Sequence, residues 1–221
     1  MIGKRNLWVF GDSFSVPFKK IENEHPYVPY KGYCPKIFSN IISEELDLNL
    51  MDMSAGGCSN QSIFHTYVKN IDKIKSDDIV VFGWTQPIRF RIASKRNDFY
   101  DVIIAVAPYM EEFIDVSIDT LNDITINRST YSIYWDELID YINVINKSNK
   151  SPYNFHWTWV EPTDKIGTNI YENKFYDLLL PFKKYKSVKE ETNGDVDDFH
   201  YGEVGHIELA NDLMVEIKKI L

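Results

Sequence analysis

The sequence predicts an α/β fold, a three-layer α/β/α sandwich around a mainly parallel central sheet. Three observations point there. Short apolar runs, of which 7–10 and 78–83 are the clearest, read as strands buried on both faces, the pattern of parallel sheets covered by helices. They alternate along the chain with stretches of helical periodicity, as βαβ units do. The chain then closes on an amphipathic segment, 207–221, whose apolar stripe is Leu209, Leu213, Ile217 and Ile220.

The elements follow in order. Residues 7–10 make strand one, and Ile37, Phe38, Ile41, Ile42 and Leu46 have near-helical spacing within 33–46. Residues 48–53 alternate in period two and end at the turn Ser54-Ala55-Gly56-Gly57. Ser59 or Asn60 is placed to cap the next helix, with Ile63, Tyr67 and Ile71 on its apolar face. After the strand at 78–83, the region 94–130 is less regular, with an apolar run at 102–106 and a helix-like stretch at 110–121. It reads as an insertion in a single domain. Leu138, Ile139, Ile142 and Ile145 then mark a helix over 134–145, and 146–152 is a loop rich in Asn, Ser and Lys. Residues 155–160 alternate aromatic side chains and read as the last sheet strand; Trp157 and Trp159 there suit a core or a stacking platform for a sugar.

Composition narrows the function. A chain of 221 residues supports one sizeable core, and a net charge of −9 disfavours a polyanionic partner such as nucleic acid. Two cysteines, Cys34 and Cys58, are too few for a disulfide framework. The amino terminus has no export-signal pattern, and no segment approaches the ~20 apolar residues that would span a bilayer. These features predict a cytoplasmic protein. No Cys/His cluster has metal-ligand spacing and no phosphate-binding Gly-rich loop is present, so neither a metal nor a nucleotide cofactor is expected.

The chemistry lies at the two ends. Phe10-Gly11-Asp12-Ser13 puts a serine at a sharp turn at the carboxyl end of strand one, where open α/β sheets place their ligands. A serine needs a base, usually an imidazole oriented by a carboxylate, and Asp197-Asp198-Phe199-His200 supplies both. This pairing resembles the SGNH (GDSL-type) hydrolase family, through separate blocks at 10–15, 54–60, 80–89 and 197–206. The resemblance implies a flavodoxin-like sandwich and a serine esterase forming an acyl-enzyme, its substrate a small or carbohydrate ester such as an O-acetyl sugar. Ser13 carries over as nucleophile, His200 as base and Asp197 as its orienting carboxylate, with Asp195 and Asp198 as neighbours able to compete. The oxyanion hole implied by the family is the Ser13 N–H, the N–H of Gly57 or of the adjacent Gly56, and an asparagine side chain. Gly83-Trp84-Thr85-Gln86 departs from the family at that third position, leaving Thr85 or Gln86 as the substitute donor. Asp12, Asn60, Trp84 and Arg89 are candidate substrate contacts, while His206 is expected to be structural. Acyl transfer on the same scaffold, or a binding protein with a degenerate oxyanion hole, are the alternatives.

Overall fold

The structure is a computed structural model that describes residues 4–20, 25–86, 89–93, 99–102, 117, 119–120, 133–148, 151, 153–163, 171, 175 and 177–221. Four strands, β1 (Asn6–Gly11), β2 (Asn49–Asp52), β3 (Ile79–Trp84) and β6 (Asn154–Thr158), form a parallel sheet in the order β2-β1-β3-β6. Two further strands, β4 (Phe90–Ala93) and β5 (Phe99–Val102), make a separate antiparallel hairpin. The six described helices longer than a single turn of 3-10 type are α1 (Tyr27–Lys31), α2 (Phe38–Glu45), α3 (Asn60–Asn70), α4 (Ile133–Lys147), α5 (Val188–Glu191) and α6 (Glu203–Ile217).

Strand alternation divides the apolar side chains between two cores. Leu7 and Val9 of β1 and Ile79 and Val81 of β3 face Phe38 and Ile42 of α2 and Leu209, Leu213 and Ile217 of α6. Their neighbours Trp8, Phe10, Val80 and Phe82 face the other way, onto Ile63 and Tyr67 of α3 and Leu138, Ile142 and Ile145 of α4. Both faces of the sheet are therefore covered, which explains the unbroken apolar runs and gives the predicted α/β/α layering. Each fully buried aliphatic or aromatic side chain contributes about 1.5–3 kcal/mol relative to exposure.

The two ends of the sheet are built differently. At the amino end Asp78 accepts from the Asn6 N–H (3.0 Å), the Trp8 indole (2.8 Å) and the Lys75 N–H (3.0 Å). At the carboxyl end Gly11 and Gly83 are register partners. A Cβ on Gly11 would lie 2.2 Å from Ser15 Oγ, and one on Gly83 would lie 2.5 Å from the same oxygen and 2.8 Å from the Trp157 ring. Two paired glycines thus open the notch into which the loop after β1 folds.

Several boundaries differ from the sequence expectation. The helix predicted over 33–46 starts only at Phe38, because Pro35 biases the residue before it away from helical geometry. The short α1 was not anticipated; it ends at Gly32 in the left-handed region (φ 74). The closing helix begins earlier, at Glu203, and ends before Ile220, which is exposed. Trp157 lies in the core beside α2 and α6. The hairpin β4–β5 stands at the start of the expected insertion, and nearly all of 103–132, including the run at 102–106 after its first residue and most of the stretch at 110–121, lies outside the described residues.

Candidate active site

Ser13 opens a single 3-10 turn, Ser13–Ser15, directly after β1. Asp12 caps that turn: its Oδ1 accepts the Phe14 N–H at 3.0 Å, and its carbonyl accepts the Ser15 N–H at 2.9 Å. The cap holds Ser13 at the sheet edge, partly exposed. Amides at the start of such a turn have no partner inside it, so the Ser13 N–H is placed to meet an external acceptor.

The carboxyl-terminal segment returns to this edge between α5 and α6. Its backbone is pinned by the Val188 N–H on the His200 carbonyl and the Lys189 N–H on the Asp198 carbonyl, both 2.8 Å. His200 Nε2 lies 2.8 Å from Ser13 Oγ, and His200 Nδ1 lies 2.6 Å from Asp198 Oδ1. A carboxylate can only accept, so Nδ1 carries the ring proton and Nε2 is left to accept from the serine hydroxyl. Burial alone would raise the Asp198 carboxyl, but hydrogen bonds from His200 and His25 and the His200 interaction hold it well below the usual carboxylate range. It is an anion at any pH of interest.

The carboxylate on His200 is Asp198, not the expected Asp197. Asp198 Oδ1 accepts both the ring N–H and the His200 backbone N–H (3.1 Å), an Asx-type turn that needs a spacing of two residues. One position earlier, Asp197 points outward and pairs with Lys189 at 2.7 Å. Asp195 is exposed.

The second and third blocks also rearrange the expectations. Gly56 lines the cavity beside Ser13, whereas Gly57 is the residue that takes the turn's positive φ of 74. Asn60 is no surface contact: its Oδ1 accepts the Thr85 N–H (2.8 Å) and its Nδ2 donates to the Thr85 carbonyl (2.9 Å), latching the third block to the start of α3. Thr85 itself is fully buried, which closes its hydroxyl off from a bound substrate. Gln86 is half-buried.

Asp12, Trp84 and Arg89 are likewise interior residues rather than substrate contacts. The Arg89 guanidinium donates to Asp12 Oδ2 at 2.9 Å, and the Trp159 indole donates to the same oxygen at 2.8 Å. Burial pushes the Asp12 carboxyl up, against the lowering effect of the Arg89 charge and of these hydrogen bonds. Trp84 is fully buried and donates to His156 Nδ1 at 3.2 Å. His206, at the start of α6, is buried beside Phe18 and Phe38, and desolvation pushes it down to about 3.

Two further contacts complete the edge. Trp159 stacks on Phe14 (centroids 4.3 Å apart, planes within 14°), with the Arg89 guanidinium carbon 5.6 Å from its ring centroid, so the ring is held by its neighbours while it also lines a groove at this edge. His25 contacts Asp198 at 2.8 Å, although 173 positions of chain separate them and no spacing rule links them. A cavity of about 230 Å³ opens beside Ser13 and His200, its walls mostly the apolar surface of Val16, Phe18, His25 and His206. On the other side of Phe14 a groove of about 270 Å³ runs between Trp159, Tyr185, Phe199 and Tyr201, with Lys184 and Glu190 at its rim.

No protein-family model and no curated protein matches the chain. Among solved structures it is similar to a lipase/acylhydrolase from Enterococcus faecalis at 14% identity, with a TM-score of 0.42, over 97% of this chain and 96% of that one. It is also similar to a carbohydrate esterase whose active site is described as having divergent catalytic and non-catalytic binding functions, at 13% identity and a TM-score of 0.48, over 99% of this chain and 70% of that one. Among the described residues no helix is long and apolar enough to cross a membrane.

Proposed function

We propose that the protein is a serine esterase of the SGNH type, acting on a small or carbohydrate ester through an acyl-enzyme. The observation that carries this reading is the continuous hydrogen-bonded line from Ser13 Oγ to His200 (2.8 Å) and from His200 to Asp198 (2.6 Å). In the first step Ser13 Oγ attacks the acyl carbon while its proton passes to His200 Nε2, and the carbonyl electron pair moves onto oxygen. Asp198 stays ionised and stabilises the imidazolium. Collapse of the intermediate expels the alcohol, which takes the proton from His200, and a water molecule activated by the same ring then releases the acid.

The oxyanion is met by the Ser13 N–H and by a glycine N–H of the turn at Gly56 or Gly57, with Gln86 the side chain available for the third donor. One such donor is worth about 3 kcal/mol in the transition state. The apolar cavity beside Ser13 suits the acyl group, and the aromatic groove beyond Phe14, with charged groups at its rim, suits a sugar or other polar alcohol. The test is hydrolysis of short-chain nitrophenyl esters. Ser13→Ala is expected to lower kcat by a factor on the order of 10⁴ or more with the fold intact; equal rates for variant and wild type remove Ser13 from the reaction.

A further inference from the structure

We propose that His25 is a positioning residue of this site: its Nε2 lies against Asp198 Oδ2 and steadies the carboxylate that orients His200. The inference rests on the serine-esterase reading and extends the site by one imidazole. Asp198 is gripped from both sides, with His200 Nδ1 2.6 Å from Oδ1 and His25 Nε2 2.8 Å from Oδ2. The direction of the outer bond follows from the other ring nitrogen. His25 Nδ1 accepts the Tyr27 N–H at 3.2 Å, so in the neutral ring the proton sits on Nε2, the nitrogen that lies against the carboxylate.

The placement of His25 is itself built in. Phe18 packs edge-on against its ring at 5.2 Å. Tyr27, two residues on, is fully buried; its hydroxyl donates to Glu191 and accepts the Glu203 N–H at 3.1 Å. Glu191 also accepts the Val204 N–H at 2.8 Å, and its carboxylate sits close over Gly202, where a Cβ would lie 2.2 Å from Oε1. The amino-terminal segment bearing His25 is therefore stapled to the start of α6, the same short stretch that presents His200.

The second contact has a physical consequence. A carboxylate held through one oxygen can turn about its Cβ–Cγ bond and present either oxygen to the imidazole; a ring in contact with Oδ2 restricts that turn, keeping Oδ1 in line with His200 Nδ1. The His25 N–H also draws charge density from the carboxylate, which favours keeping the transferred proton on His200 rather than on Asp198. His25 neither gives nor takes a proton during the cycle.

The experiment compares His25→Leu, which removes the donor, with His25→Gln, whose amide restores an N–H at about the Nε2 position. The probes are a fluorophosphonate that labels Ser13, nitrophenyl acetate, and the low-field ¹H resonance of His200 Nδ1–H. His25→Leu is expected to slow labelling and lower kcat roughly tenfold, the scale on which hydrogen bonds behind a functional histidine act, with KM nearly unchanged and the His200 resonance displaced. His25→Gln is expected to recover most of the rate and to return the resonance. Wild-type labelling in His25→Leu, or a glutamine variant as slow as the leucine one, overturns the proposal. If wild type neither hydrolyses the ester nor takes the phosphonate, the esterase reading fails separately, and the His200 resonance alone decides: no displacement in His25→Leu overturns the role of His25.

Discussion

The two ends of the parallel sheet each hold a buried or half-buried aspartate, and they use it for opposite purposes. At the amino end Asp78 faces only donors that never change state, two backbone N–H groups, an indole and the Asn6 amide. Burial opposes its charge, yet these bonds hold its carboxyl below the ordinary range. At the carboxyl end Asp198 faces two imidazoles, and through one of them a hydroxyl. The electrostatic solution is similar, an anion surrounded by N–H donors, but only the second set includes groups that can accept and release a proton. What separates a brace from the proposed reaction centre is the nature of the donors, not the burial of the acid.

That contrast can be broken most sharply at Asp198. Asp198→Asn is expected to lower kcat for nitrophenyl esters by about 10³–10⁴, since an amide favours the wrong His200 tautomer, while Asp197→Asn leaves kcat within about twofold because that residue only meets Lys189 at the surface. Equal effects in steady-state kinetics would return the role to Asp197. At the other end, Asp78→Ala strands the Trp8 indole and two backbone donors. It is expected to cost about 2–4 kcal/mol in urea denaturation with unchanged activity per folded molecule.

A smaller effect sharpens the comparison through pH. His156 and His206 are buried and pushed down to about 3 from 6.5. Between those values the unfolded chain binds more protons than the folded one, so their contribution is complete above pH 6.5 and is lost as pH falls toward 3. The slope is at most about 1.4 kcal/mol per pH unit for each histidine. Asp78, with its lowered value, adds to the loss only further down, as pH falls below its unfolded value. Urea denaturation from pH 7 to 5 is expected to show this decline, and His156→Gln, which keeps an amide between Trp84 and Asn146, is expected to reduce the slope; an unchanged slope would place the proton uptake elsewhere.

The sequence by itself determined the layered architecture, because period-two and near-3.6 apolar patterns decide which side chains can be buried together. Leu7 and Val9 against Trp8 and Phe10 could only be satisfied by helices on both faces of a sheet. It also brought forward Ser13 and His200, since a serine at a strand-ending turn and a histidine after adjacent aspartates are local patterns. Tertiary structure alone decided which aspartate meets His200, because a one-residue choice depends on how the loop is pinned to α5. It also drew Asp12, Asn60, Trp84, Thr85 and Arg89 into the interior and brought His25 to Asp198. Those outcomes depend on packing between segments far apart in the chain, and local spacing carries no record of such distances.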